Sequence, residues 1–433
     1  MNILLINHYA GSDRMGMEYR PFYLAREWVA DGHKVTLLAA DFSHLRNHQP
    51  VVQSDLEVTE EEGVRFRWLR TNRYDGNGAR RVVNMTTFVG KLLLHADCIA
   101  REERPDLVIC SSTYPLDIFP GAYIARKTAA RLVFEVHDLW PLTPILLGGY
   151  SRRHPYIRVL QAAEDWAYRN ADVVVSILPN ALEYMVGRGL EARKFVHIPN
   201  GIPVSRADVA GKDHLPLAAV DLIEHERARG RFLIGFAGGI NPNTALETLL
   251  SAAASLRASG VSFFIAGGGS NAKRLRARAT RLAIDNFHML GRMPKASVQE
   301  FLSRMDALAI LWHRSPLYRF GVSPNKVFDY MLSGKPILQA GEASNDLPAE
   351  ARCGFTVAPE DPAAFADAVL RLRALPAEER RRLGANGRRF VLENHDCRVL
   401  ARRFLRAVAP QSADLVAAAS GVTVAEAQPS AHS

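Results

Sequence analysis

Phe320–Pro336 reads FGVSPNKVFDYMLSGKP and is the strongest indication of how this chain folds. A turn, Ser323–Asn325, leads into apolar residues at helical spacing, and a Gly-Lys-Pro sequence ends them, which predicts a short amphipathic helix. Pro324 suits the first helical turn, and Ser323 takes the expected N-cap position. The free N–H groups of such a helix start, the helix dipole and Lys326 together predict an anion site, most naturally for a phosphate.

Asp329 lies one helical turn beyond Lys326 and presents a carboxylate that can accept hydrogen bonds from sugar hydroxyls. A diphosphate with a ribose attached fits this arrangement. An ordinary capped helix shows the same spacing, so the residues alone leave both interpretations open.

Apolar strands alternate with helices on both sides of a polar segment at residues 202–217. Before it, the predicted strands are Asn2–Asn7, Lys34–Ala39, Asp106–Cys110, Arg131–Val136, Asp172–Leu178 and Phe195–Ile198. After it, they are Phe232–Ala237, Ser262–Ala266, Phe287–Leu290 and Ala307–Leu311. Such alternation predicts two doubly wound α/β domains with parallel sheets, which bind ligands at the carboxyl ends of their strands.

This organisation predicts two domains and two C-terminal segments. We expect an N-terminal domain over residues 1–205, a C-terminal domain over 216–392, a helix over 393–408 and a flexible tail over 409–433. The tail is rich in small residues and lacks aromatic anchors, so it has little apolar surface to bury.

The composition predicts a globular protein without a metal or disulfide framework. Of 433 residues, 48% are hydrophobic and 23% are charged. The four cysteines lack metal-ligand spacing, which favours a reducing cytoplasm. No apolar run reaches the ~18 residues of a membrane span. The net charge of +9 comes without a nucleic-acid-binding motif, which disfavours a nucleic-acid partner and favours an anionic membrane face or phosphate-rich substrates.

A glycine-bearing loop, Gly11–Gly16, follows the first predicted strand, and its backbone can approach a ligand closely. The loop contains neither GxGxxG nor GK[ST], so it predicts no NAD or ATP site. Just beyond it, Glu18 and Arg20 are either ligand contacts or the start of a solvated helix face.

His137 follows the predicted strand Arg131–Val136, and a polar residue at that end of a parallel strand is expected to point into the ligand crevice. A lone histidine is more often structural, so that interpretation stays open as well. Glu135 lies inside the strand, and we expect its side chain to point away from His137.

Three of these motifs resemble family-4-like retaining glycosyltransferases: SPNKVFDYMLSGKP, the strand end FEVHD and the boundary IPNG at residues 198–201. The resemblance covers roughly residues 1–408 and implies the GT-B fold, in which two facing Rossmann-like domains enclose a deep interdomain cleft. It also implies that the helix over 393–408 crosses back to the N-terminal domain. The opening segment INHYAGSDRMGMEYRPFYLAREW resembles a subgroup that acts on O-antigen or capsular polysaccharide and includes proposed N-acetyl-fucosamine transferases.

The resemblance also implies a site. His137 would face the donor sugar and Lys326 would stabilise the leaving diphosphate, which makes these two the candidate catalytic residues. Glu18 and Arg20 are candidate acceptor-side residues. The candidate donor-binding residues, from the glycine loops and the helix start, are Gly16, Gly238, Gly239, Arg292, Ser323, Pro324, Asn325 and Asp329.

Two departures from the family pattern accompany the resemblance. Gly321 stands where the first of two motif acids is typical, with seven residues between it and Asp329, which leaves the donor sugar open. Gly239, Asn241 and Asn243 stand in the loop where family members often carry an arginine and a lysine. Charge compensation then falls on Lys326, the helix N-termini and Arg292.

The implied activity is the retaining, metal-independent transfer of a sugar from a nucleotide-diphosphate donor, with UDP favoured. The acceptor would be a glycan or a polyprenyl-linked glycan in bacterial surface polysaccharide biosynthesis. The sequence has no Asp-x-Asp motif, and we expect no cofactor. Two other functions stay open: a GT-B sugar-nucleotide 2-epimerase, and a non-catalytic protein that binds sugar nucleotides or a membrane surface.

Arg80–Ala100 carries apolar residues at helical spacing beside basic ones. Such a helix either buries its apolar stripe in the domain or rests on an anionic membrane. With a lipid-linked acceptor, this helix and Tyr150–Arg158 are the expected membrane contacts. We therefore expect a cytoplasmic protein, or one at the inner face of the cytoplasmic membrane.

Overall fold

Short apolar runs form the strands of two separate sheets in a computed structural model of this chain, which describes residues 1–16, 19–76, 78–204 and 215–409. The chain divides into two compact units. Unit 1 comprises Met1–Ser176, Leu182–Val196 and the segment from Ala401 onward. Unit 2 comprises Ile177–Ala181 and His197–Leu400.

The sheet of unit 1 is mostly parallel. Its strands are β1 Asn2–Ile6, β2 Lys34–Ala40, β3 Glu57–Glu61, β4 Val64–Leu69, β5 Leu107–Cys110, β6 Arg131–Val136, β7 Val173–Ser176 and β8 Phe195–His197. Their order is β3-β4-β2-β1-β5-β6-β7-β8, and β3 pairs antiparallel with β4. The central strand β1 is buried along nearly its whole length because helices cover both faces of the sheet.

Helices of unit 1 connect these strands. They are α1 Arg20–Ala30, α2 Ala79–Leu94, α3 Ala96–Glu103, α4 Ile118–Thr128, α5 Leu142–Leu146, α6 Pro155–Asn170 and α7 Leu182–Gly187, with 3-10 turns at Pro115–Asp117 and Ala192–Lys194. The apolar stripe of α2 is buried, through Met85, Phe88 and Leu92.

The sheet of unit 2 is parallel throughout, in the order β11-β10-β9-β12-β13-β14. Its strands are β9 Phe232–Ala237, β10 Val261–Ala266, β11 Phe287–Gly291, β12 Ala307–Leu311, β13 Ile337–Ala340 and β14 Gly354–Val357. The helices are α8 Leu217–Ala228, α9 Leu246–Ser255, α10 Ala272–Arg281, α11 Lys295–Ser303, α12 Asn325–Leu332, α13 Leu347–Glu350, α14 Pro362–Ala374 and α15 Ala377–Asn394, with 3-10 turns at Arg257–Ser259 and Pro316–Phe320. The prediction of two doubly wound α/β sheets is confirmed.

The last helix, α16 (Cys397–Val408), joins unit 1 from Ala401 onward. The indole of Trp28 in α1 donates a hydrogen bond to the carbonyl of Ala401 at 3.0 Å, and its ring packs against Phe404. Arg402 pairs with Asp31 at 3.0 Å. The C-terminal part of α16 therefore packs against α1 and the residue that follows it.

Candidate functional site

Helix α12 holds the candidate phosphate site of unit 2, and its start differs from the prediction. The helix begins at Asn325; Pro324 precedes it in an extended conformation and no side chain caps it. The Ser323 hydroxyl instead accepts a hydrogen bond from the backbone N–H of Asn200 at 2.8 Å, and the Ser323 carbonyl accepts from the Asn200 side chain at 2.7 Å. The N-cap prediction for Ser323 is therefore wrong, because a partner 123 residues away takes its hydroxyl.

Lys326 is the second residue of α12, and its side chain is half-buried. Its Nζ lies 4.8 Å from the centre of the Phe236 ring, a cation–π distance. It pairs with no carboxylate in the part of the chain that the structure describes. Burial lowers the pKa of Lys326 to about 8. A cation held in this way, without a paired carboxylate, is well placed to bind an anion.

Asp329 follows Lys326 by three residues, so both lie on one face of α12. Gln299 of α11 donates to the Asp329 backbone carbonyl at 3.2 Å and lies 3.4 Å from its carboxylate. Burial raises the pKa of Asp329 to about 6, against the lowering effect of Lys295 and Gln299. The carboxylate thus has spare acceptor capacity for hydroxyl donors.

Backbone from three strand ends comes together beside Lys326. Gly238, after β9, has φ +150°, and a Cβ there would lie 2.9 Å from the Lys326 Nζ. Gly267, after β10, has φ +151°, and a Cβ there would overlap the Gly238 carbonyl. The Gly267 N–H donates to Gly291 at the end of β11 at 2.7 Å. Only glycine permits the two backbone segments to approach this closely. The absence of a Cβ at Gly238 also leaves space beside the Lys326 ammonium group.

Two further candidate donor-binding residues lie in the same loops. The Gly239 carbonyl accepts a hydrogen bond from the Thr244 hydroxyl at 3.0 Å. Arg292 follows β11 and covers Gly268, where a Cβ would lie 2.6 Å from the arginine Cγ. The structure therefore gathers Lys326, Gly238 and the glycine loops at the carboxyl ends of β9, β10 and β11, where parallel sheets bind ligands.

His137 lies at the carboxyl end of β6 in unit 1, as predicted, but its neighbours differ from the expectation. Its Nε2 lies 3.0 Å from the Glu135 carboxylate and 2.8 Å from the Ser111 hydroxyl. The expectation that Glu135 points away from His137 is wrong, because residues two apart on a strand face the same side. Sequence reasoning missed Glu135 and Ser111, although that period-2 relation could have identified Glu135.

The other candidates of unit 1 are placed as follows. Arg20 opens α1 with its side chain 7% exposed and donates to Glu135, so it does not begin a solvated face. Gly16 has φ +70°, and a Cβ there would lie 2.5 Å from the Asn47 side chain. Glu18 lies outside the described residues.

Two family models match the chain. The model "Glycosyl transferase 4-like domain" matches residues 15–201, and "Glycosyl transferases group 1" matches residues 231–374. Among curated proteins, none matches this sequence significantly.

Solved structures of the same fold cover nearly the whole chain. Sucrose-phosphate synthase from Thermosynechococcus elongatus has a TM-score of 0.70 at 16% identity, covering 97% of this chain and 100% of its own. HepE from Anabaena, in complex with UDP and glucose, has a TM-score of 0.63 at 15% identity, covering 95% and 100%. The trehalose-6-phosphate synthase OtsA has a TM-score of 0.70 at 12% identity, covering 94% and 99%.

The two domain matches and the two sheets define a glycosyltransferase of the GT-B fold. More particularly, the chain joins a glycosyl transferase 4-like domain in its first half to a group 1 domain in its second. His137 falls in the first domain, and Lys326 and Asp329 fall in the second.

Proposed function

We propose that this glycosyltransferase is a retaining, metal-independent enzyme that moves a hexose-type sugar from a nucleotide-diphosphate donor, with UDP favoured, to an acceptor of bacterial surface polysaccharide. The observation that carries the proposal is Lys326, a half-buried cation at the start of α12 beside three glycine-bearing strand ends. A bound diphosphate would supply the negative charge that Lys326 lacks as a partner among the described residues.

The proposed chemistry needs no dedicated base. The bond between the anomeric carbon and the diphosphate oxygen breaks, and a bond from the acceptor hydroxyl oxygen forms on the same face of the sugar. The acceptor proton passes to the departing phosphate oxygen. Lys326, the start of α12 and the loop amides stabilise the developing negative charge, which is electrostatic preorganisation. In this proposal His137 positions the sugar, and Asp329 accepts hydrogen bonds from the ribose.

The remaining donor and acceptor residues are assigned by position. Gly238 and Gly239 bring backbone to the diphosphate, Arg292 adds positive charge, and Ser323, Pro324 and Asn325 shape the helix start. Gly16, Glu18 and Arg20 stay candidates for the N-terminal ligand contacts. HepE was solved with UDP and with UDP-glucose, which supports a UDP-sugar as the donor here.

The test of this proposal is the thermal stability of the purified protein across a panel of nucleotides and nucleotide sugars. A ligand that binds only the native state raises the melting temperature. We expect UDP and UDP-sugars to raise the melting temperature most. In a separate activity measurement with a polyprenyl-linked glycan as acceptor, we expect UDP release to accompany sugar transfer. UDP release without acceptor would favour the 2-epimerase, and binding without turnover would favour a binding protein. A flat response across the panel would contradict the donor site.

A lipid-linked acceptor would bring the enzyme to an anionic membrane, and one face of unit 1 suits that contact. Among the exposed apolar side chains of α2, α6 and the segment between α5 and α6 are Val83, Leu147, Tyr150 and Val159. Exposed arginines accompany them: Arg80, Arg152, Arg153 and Arg158. Tyr156 joins these elements, since its hydroxyl contacts the Met85 sulfur at 3.9 Å and its ring lies 6.4 Å from that of Tyr150. We call these eight exposed residues the basic apolar face.

Among the described residues, no single helix is long and apolar enough to cross a membrane. The pair α2 and α3 meets that condition by length and composition only when taken together across a 59° bend.

Replacing Arg152, Arg153 and Arg158 together by alanine is expected to weaken binding to anionic vesicles about 100-fold, since each basic residue near such a surface contributes about 1 kcal/mol. Vesicle co-sedimentation at fixed salt measures the loss. The matched control replaces three exposed basic residues of α10 in unit 2, Lys273, Arg276 and Arg281. An equal loss in both triple variants would mean that net charge, rather than the basic apolar face, drives binding.

A further inference from the structure

A buried carboxylate of unit 1 binds three other side chains and links them into one network. Glu135 lies in β6 with its side chain 1% exposed. One of its oxygens, Oε1, accepts from Arg20 Nη2 at 3.0 Å and Nε at 3.1 Å. The other, Oε2, accepts from the Ser111 hydroxyl at 2.5 Å and lies 3.0 Å from His137 Nε2. Each carboxylate oxygen therefore has its own set of partners.

The Glu135 carboxyl is ionised despite its burial. Burial alone would raise its pKa, but Arg20, His137 and Ser111 together outweigh that effect and hold the pKa well below its usual range. An ionised carboxylate accepts hydrogen bonds and cannot donate them. The proton of the hydrogen bond between Glu135 and His137 must therefore reside on Nε2 of the imidazole.

Ser111 reinforces this assignment. Its single hydroxyl proton goes to Glu135, so the 2.8 Å contact between its oxygen and His137 Nε2 needs a proton from the ring. Two acceptors thus share the Nε2–H of His137. Because Ser111 follows β5 and Glu135 lies on the neighbouring strand β6, the sheet itself fixes both acceptors.

We propose that Glu135 is a positioning residue that holds the His137 imidazole in one orientation with the proton on Nε2, and that Arg20 and Ser111 hold Glu135 in turn. The effect of this role on sugar transfer rests on the proposed function. The orientation and the tautomer of the His137 ring do not, because they depend on unit 1 alone. A histidine ring fixed before the donor arrives loses less rotamer freedom when the sugar binds.

A second buried carboxylate in unit 1, that of Glu103, serves as a structural comparison for Glu135. Glu103 is 4% exposed and accepts from Thr36, Arg65 and Arg67. Its network matches that of Glu135 in burial and in arginine partners, yet it contains no histidine. Asp117 and Asp138 are two further acids, among the described residues, whose charge interacts with His137, and both accept from backbone N–H groups, of Ser112 and Leu139 respectively.

The experiment is nitrogen-15 NMR of the histidine-labelled full chain, with His137 assigned by its absence in His137→Gln. At a pH where the ring is neutral, the nitrogen shifts are expected to show Nε2 protonated and Nδ1 unprotonated. In Glu135→Gln the amide can donate as well as accept, so the second tautomer is expected to appear. In the control Glu103→Gln the His137 signals are expected to stay unchanged. A wild-type ring with the proton on Nδ1 would overturn the proposal. The tautomer is read in the wild-type chain, and the only variant this reading needs is His137→Gln, for the assignment.

Kinetics separate positioning from mere stability. Glu135→Gln is expected to lower kcat about 10- to 100-fold while the donor KM changes less than about 3-fold. Glu103→Gln is expected to lower the melting temperature and leave kcat unchanged. An unchanged tautomer and kcat in folded Glu135→Gln would refute the role. If the wild type transfers no sugar at all, the proposed function fails, while the NMR result still decides whether Glu135 positions His137.

Discussion

Replacing Lys326 by methionine is expected to weaken nucleotide-diphosphate binding about 10- to 100-fold, because a charge-assisted hydrogen bond is worth about 1.5–3 kcal/mol. The lost charge also acts on the leaving group, so kcat is expected to fall along with affinity. Titration calorimetry with UDP and initial rates of UDP release measure the two effects. Methionine keeps most of the side-chain volume, so the contact with Phe236 is retained.

The matched control is Lys335→Met. Lys335 lies just beyond the opposite end of α12, and burial lowers its pKa as well. Lys335 precedes β13 and therefore lies at the amino ends of the parallel strands, whereas the glycine loops lie at their carboxyl ends. We expect this variant to bind UDP as the wild type does. Equal losses in the two variants would show that any half-buried lysine near α12 affects binding, and would contradict the phosphate assignment.

The pH dependence gives the Lys326 assignment a second check. With a folded pKa of about 8, below the ordinary value of 10.5, Lys326 loses its proton in the free protein as the pH rises through 8. The unfolded chain keeps that proton up to about pH 10.5. Below pH 8 the buried charge therefore lowers the free energy of unfolding, and this destabilisation decreases as the pH rises from 8 to 10.5. UDP affinity is therefore expected to fall above pH 8 in the wild type only. Without ligand, Lys326→Met is expected to be at least as stable as the wild type at neutral pH.

The sequence was sufficient for most strands of both sheets, although β13, whose four residues are all buried, and β14 were not predicted. Every strand predicted in the first half has a counterpart in the sheet of unit 1. The hairpin of β3 and β4 was not predicted. Its outer strand, Glu57–Glu61, is largely exposed and reads EVTEE, so it has no apolar run to mark it. An edge strand of this kind is defined by its partner rather than by its own residues.

The positions of the candidate site residues were predictable where they depend on a strand or helix end. Lys326 and His137 are such residues, and both occupy the places expected for them. Their surroundings depend on contacts between distant parts of the chain, such as Asn200 with Ser323 and Arg20 with Glu135, 115 residues apart. No local pattern encodes those contacts, and the competing contact at Ser323 is why the capping prediction failed.

Replacing Gly321 by alanine is expected to destabilise the protein by about 2–6 kcal/mol. Gly321 has φ +88° and ψ 176°, a backbone region almost restricted to glycine, which costs a residue with a Cβ about 1–3 kcal/mol. A Cβ there would also lie 2.5 Å from Pro179 Cγ and 2.6 Å from its Cδ, and such overpacking costs about 1–3 kcal/mol more. Urea unfolding measures the free energy of unfolding.

Gly230→Ala is a control for a positive-φ glycine that has no close neighbour. Gly230 has φ +71°, and no heavy atom lies within 4 Å of a Cβ placed there, so only the backbone cost remains. We expect it to lose about 1–2 kcal/mol. Equal losses at the two glycines would mean that Pro179 moves aside freely.

The same geometry bears on donor choice. Gly321 occupies the place of the first motif acid in the family that the sequence resembles, so Gly321→Glu formally restores that acid. The restored side chain would begin inside Pro179 and 3.0 Å from the Asn345 amide oxygen, which already accepts from the Val322 N–H at 2.7 Å. We therefore expect Gly321→Glu to lose at least as much stability as Gly321→Ala and to gain no donor affinity. A stable Gly321→Glu variant that accepts new donor sugars would contradict this. The departure at Gly321 is then a property of the packing around Pro179, and donor selection has to come from other groups.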